Sequence, residues 1–213
     1  MIDALAIILA TQATILTSPP SDPRERSVTS QLHASRASSH VPSGTVDHPT
    51  LVDDAAIGTP EATIRHARQA QDMTSRDRVT TYVPSIASIA DPGCYKVAEH
   101  PFGHQVASST MLNGRATVFQ CRNFVTHVAV RDFSKRLQVD TSGGFPESAL
   151  KAILNGGALT YWYRQGASGV RQAVFVWIGK TQEITIALES REASFASLAT
   201  AGNAIANGLT QRR

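Results

Sequence analysis

Between residues 92 and 209 apolar side chains recur with short, regular periods, whereas residues 17–58 show neither a period of 2 nor one of 3.6. The periodic part predicts a short strand at 94–98. It also predicts strand-like runs at 105–112 and 115–121 flanking Asn113-Gly114, a dipeptide that signals a tight hairpin turn. Further strands are expected at 125–131 and 136–140. Pro146-Glu147 then predicts a short helix with Ala149, Leu150, Ile153 and Leu154 along one stripe, closed by Asn155-Gly156-Gly157. Three runs at 158–164, 172–178 and 183–188 have links short enough to pair antiparallel. From Ser190 a last helix is expected to reach about Leu209, with Phe195, Leu198, Ile205, Ala206 and Leu209 on its sheet-facing side.

The fold class that follows is α+β: a mainly antiparallel sheet with a short internal helix and a C-terminal helix packed on one face. A largely disordered N-terminal arm is expected to precede it. The distribution of aromatic residues supports the division, since only Tyr82 of the thirteen lies before residue 91, and eight of the ten prolines fall within the first 92 residues. A segment without aromatics buries too little apolar surface to offset a backbone entropy of about 1–2 kcal/mol per residue. The expected organisation is therefore an apolar leader over 1–16, a linker arm over 17–91, and a folded domain over 92–213. Within the arm, Thr59-Pro60-Glu61 predicts the start of an exposed helix over 60–73, by a capping hydroxyl, a proline at the first helical position and an acid in the first turn.

The leader adds a compartment. Residues 4–16 are apolar over the length of a signal-peptide core and too short to span a bilayer, and Thr11-Gln12-Ala13 offers a cleavage spacing, although Asp3 stands where a signal peptide carries positive charge. Cys94 and Cys121, the two cysteines, suit a disulfide in an oxidising compartment, with two free thiols as the alternative. Periplasmic or secreted localisation follows.

Charge changes the picture little. Residues 91–213 carry thirteen Lys or Arg against eight acids, but the basic residues are scattered and only Lys135-Arg136 and Arg212-Arg213 are adjacent, which argues against a nucleic-acid partner. Gly143-Gly144 and Gly156-Gly157 read as turn glycines rather than a phosphate loop.

Candidate chemistry is sparse. Zinc could draw on His100, His104, Cys94 and Cys121, yet Pro101 and Gly103 exclude a helical pair of histidines and place 100–104 in a loop. No metal or cofactor is assigned. Nucleophilic catalysis could use Cys121 or Ser108 with His104 or His127 as base, oriented by Asp132 or Asp140, but no nucleophile-elbow motif supports it. The distinctive feature is aromatic: Tyr161-Trp162-Tyr163 on one strand and Phe175 and Trp177 on the next. If Val174, Val176 and Ile178 face the helices, then Trp162, Phe175 and Trp177, beside Arg164 and Arg171, form an open strip suited to a protein or glycan ligand; the alternative is that both faces are covered. The expected function is an exported, non-catalytic binding or accessory domain of the bacterial cell envelope. The alternatives are a secreted effector with a disordered export arm, or a small hydrolase or transferase using a Cys/His pair.

Overall fold

The computed structural model describes residues 49–53, 57–91, 93–106, 109–134 and 145–211, all within one compact unit of the chain, Val41–Arg213. The leader, residues 17–48 and 54–56 of the arm, Ser108, the expected strand at 136–140 and the two adjacent basic pairs lie outside the described residues.

Among the described residues nine strands and two helices follow in the order β1 (Thr50–Val52), α1 (Pro60–Arg76), β2 (Thr80–Thr81), β3 (Tyr95–Gln105), β4 (Met111–Gln120), β5 (Val125–Asp132), β6 (Leu150–Leu154), β7 (Gly157–Gly166), β8 (Arg171–Ile178), β9 (Gln182–Ser190) and α2 (Phe195–Thr210). The strands form one sheet along the path β1-β7-β8-β9-β5-β4-β2, with β3 also on β4 and β6 also on β7. Pairing is antiparallel except at the short β1–β7 and β2–β4 contacts. The α+β, mainly antiparallel architecture with an internal and a C-terminal helix is therefore the fold of the described chain.

The alternation of β8 decides the two faces. Phe175 and Trp177 join the main core with Ile184, Ile186, Leu198 and Ile205, under α2. Val174 and Val176 join Trp162 and Ala187 on the opposite face. That second face also carries Val118, which packs with Ala67 of α1, so the two helices cover opposite sides of the sheet. Burying Leu198, Ile205 and Leu209 along α2 contributes roughly 1.5–3 kcal/mol each.

Four sequence expectations change. Residues 147–154 form no helix; 150–154 are strand β6, and Asn155-Gly156, with φ of 47° and 78°, is the two-residue turn into β7. The spacing of Ala149, Leu150, Ile153 and Leu154 satisfies a helical stripe, but the turn chemistry outweighs it. Asn113-Gly114, conversely, is no turn and lies inside β4. The Asn113 side chain accepts a hydrogen bond from the His104 amide at 2.7 Å, and a Cβ on Gly114 would meet Phe102 Cε1 at 2.7 Å, so this glycine serves a close approach of β3. Residues 100–104 belong to edge strand β3 rather than a loop, since an edge tolerates Pro101. Finally, the last helix is capped by Ser194, whose hydroxyl accepts from the Ser197 amide at 3.2 Å, and Ser190 instead receives the Glu192 and Ala193 amides in the preceding turn.

Residues 57–91, read from sequence as part of the arm, are packed on the sheet. Ile57, Ala67, Ala70, Val83 and Ile86 are all buried, and Arg115 Nε donates to the Val83 carbonyl at 2.6 Å. Small aliphatics do here what the aromatic distribution suggested only the later residues could do.

Candidate ligand-binding site

The sheet separates the five residues proposed as an aromatic binding strip. Phe175 is fully buried beneath Gly202 of α2. Trp177 is held between Gly157 and Gly179, and its indole donates to the Leu154 carbonyl at 2.7 Å. Both are core, because the aromatic face of β8 is the one α2 covers. Arg171 donates to the Arg191 and Ala193 carbonyls at 3.3 and 3.2 Å and thereby shapes the entry to α2. The expected open strip does not form.

Trp162 and Arg164 remain together on the opposite face. They alternate along β7, and the Arg164 guanidinium carbon lies 5.7 Å from the centre of the Trp162 ring. Strand register extends this pair into a row: Arg164 is opposite Gln172 on β8, and Gln172 is opposite Glu189 on β9. Gln172 Nε2 donates to Glu189 Oε1 at 3.1 Å, while Thr63 of α1 donates to Glu189 Oε2 at 2.6 Å. Glu189 is 5 % exposed, and burial raises its pKa despite these two hydrogen bonds. Burial likewise lowers the pKa of Arg164.

Two polar atoms in this patch are buried without a hydrogen-bond partner among the described residues: the Trp162 indole N–H and Gln172 Oε1. Most buried polar groups are paired, and an unmade bond costs about 1–3 kcal/mol, so these two orphans stand out on the sheet face that carries Arg164. Phe145 meets Trp162 edge-on at 6.1 Å between ring centres and forms an apolar border. The residues that sequence reading missed are Gln172, Glu189 and Thr63. The signal of Gln172 and Glu189 is a polar residue on a strand face otherwise carrying Val174, Val176 and Ala187, and only the register and the packing of α1 show that they meet each other and Thr63.

The reactive cluster resolves differently. Cys94 and Cys121 are bonded to each other, with S–S 1.93 Å and Cα–Cα 4.0 Å, just beyond the Tyr95–Gln120 pair that ends the β3–β4 ladder. The bond removes Cys121 as a nucleophile. The bond also leaves neither sulfur as a thiolate ligand, and among the described residues neither His100 nor His104 groups with the cysteines at metal-ligand spacing. His100 is buried, with Nδ1 3.2 Å from the Pro101 carbonyl, and burial lowers its pKa. His127 shares that sheet face; burial, with a further push from His100, lowers its pKa to about 4, so it is neutral at physiological pH. Asp132 caps the Ser134 amide at 2.7 Å and receives Gln182 at 3.4 Å, a structural role; Asp140 lies outside the described residues.

A concavity of about 530 Å³ lies between α2, Phe124 and the Ala90-Asp91 segment. Its helix wall is mainly small side chains, Ala196, Ser197, Thr200, Ala201 and Ala204, with Ile205, and none of its described lining residues carries an orphaned polar atom. The chain matches no protein-family model, no curated protein and no solved structure.

Proposed function

We propose that this chain is an exported, non-catalytic binding domain of the bacterial cell envelope, with its ligand held at Trp162 and Arg164. The observation that carries the reading is the cluster of unsatisfied polar groups around the Arg164–Trp162 stack, in a fold whose two cysteines are joined. Binding fits such a patch better than turnover does. It supplies an aromatic plane, a charge and hydrogen-bond donors on rigid strands, and among the described residues no imidazole or thiol belongs to it. The Cys94–Cys121 bond supports export, because structural disulfides persist in oxidising compartments. Among the described residues no helix is long and apolar enough to cross a membrane.

The test is the intact mass of the chain recovered from cell fractions of its native host, alkylated before and after reduction. Export predicts recovery outside the cytoplasm with both thiols blocked until reduction. Cytoplasmic recovery with two free thiols overturns the compartment half of the reading.

A further inference from the structure

The Arg164 patch holds three groups whose hydrogen-bonding capacity is unused among the described residues, and together they describe a ligand. The Trp162 indole N–H is a donor with no acceptor, in a side chain only 8 % exposed. Arg164 is half-buried, and its contact is the indole face; no hydrogen bond or ion pair accompanies it among the described residues. Gln172 Oε1 is an acceptor with no donor, and its orientation is fixed because its Nε2 already serves Glu189 at 3.1 Å and the Ile57 carbonyl at 3.5 Å. The missing partner therefore brings acceptor oxygens to Trp162 and Arg164, and one donor to Gln172.

Resting on the binding role of this patch, we propose that it recognises a small hydroxylated monocarboxylate, such as a sugar acid. The carboxylate pairs with the Arg164 fork and accepts from the Trp162 indole, and a neighbouring hydroxyl donates to Gln172 Oε1. A guanidinium offers parallel N–H groups that match a planar carboxylate, and such charge-assisted bonds are about twice as strong as neutral ones. The charge already present argues for a monoanion. Glu189 is the next residue of the same row, and an acid at that position disfavours a phosphate dianion beside it. Neutral polyols lack the countercharge that a half-buried guanidinium calls for. Binding requires Arg164 to swing off the indole face, a movement available to a long side chain at the boundary of solvent.

The experiment follows the indole N–H resonances of the full chain by ¹⁵N–¹H correlation NMR. The two tryptophans give one signal each, and Trp177, already bonded to the Leu154 carbonyl, is the internal control. The probes share one ring and differ in the group at one carbon: glucuronate, glucose and glucose 6-phosphate, each titrated to about 50 mM, a range that reads millimolar dissociation constants. The expected result is a saturable downfield shift of the Trp162 signal with glucuronate, at roughly tenfold or more higher affinity than either other probe, while Trp177 stays in place. Arg164→Gln should weaken glucuronate roughly tenfold or more, and Gln172→Met should weaken it by less while leaving an unhydroxylated acid such as acetate unaffected. A Trp162 shift that is equal or larger with glucose or glucose 6-phosphate overturns the hydroxy-carboxylate assignment and leaves the patch as a binding site. No movement of Trp162 with any probe overturns both, and a glucuronate shift insensitive to Arg164→Gln overturns the assigned geometry.

Discussion

Gly202 of α2 lies against the ring of Phe175, so close that a methyl group at 202 would clash with the Cε2, Cζ and Cδ2 edge of the ring. The helix can approach β8 only because this position has no side chain. Gly202→Ala should therefore destabilise the fold by about 1–3 kcal/mol through overpacking, even though alanine favours the helix by about 1 kcal/mol. Urea unfolding checks this, and Phe175→Leu in the same chain should recover part of the loss.

Replacing Cys94 and Cys121 together by alanine should lower stability by about 3–4 kcal/mol, the chain-entropy estimate for a loop with a sequence separation of 27. Unfolding of the wild type with and without reductant should show the same difference.

Stability should depend on His127 in one direction. Its folded pKa, lowered to about 4, lies below that of the unfolded chain, so the unfolded state binds the proton first as pH falls from about 6.5. Wild-type stability should therefore fall between about pH 6.5 and 4 relative to His127→Asn. The difference between the two unfolding free energies, measured across pH, should vanish above about pH 7 apart from a constant offset.

Glu189 should act in the opposite direction. Its folded pKa is raised, chiefly by burial, so its ionisation is harder in the folded chain and stability is lost as pH rises through the carboxylate range and beyond. Glu189→Gln should gain stability relative to wild type as pH increases from about 4, the unfolded value, toward neutrality. A difference curve without this slope would show that the carboxyl ionises freely.

Gly156→Ala and Gly114→Ala separate two reasons for a glycine. At 156 there is open space and a φ of 78°, so the cost is backbone strain of about 1–2 kcal/mol. At 114 a methyl group would meet the Phe102 ring and its carbonyl oxygen at 2.9 Å, so strand β3 must move and the cost should be larger. Thermal unfolding of both variants ranks them.

These two glycines also show how far local sequence reading reaches. Both follow asparagine, and both dipeptides carry the same turn signal. Only Asn155-Gly156 turns, since β6 and β7 have cross-strand partners at Leu154 and Gly157. Asn113-Gly114 is held straight by the His104 amide and the Phe102 ring, contacts that come from another strand.

Residue order alone determined the three C-terminal strands, the last helix and its buried side, and the start of α1, because period, caps and short links are local properties. It also supplied a spacing of Cys94 and Cys121 that a disulfide could use. The tertiary structure decided which face of β8 is core. The alternation of Val174, Phe175, Val176 and Trp177 is equally compatible with either side, and the contact of Gly202 with Phe175 breaks that symmetry. It also decided that Arg164, Gln172 and Glu189 share a row with Thr63 above them. Strand register aligns the row, and the packing of α1 on the sheet brings Thr63 to Glu189, 126 positions away, which no local pattern encodes.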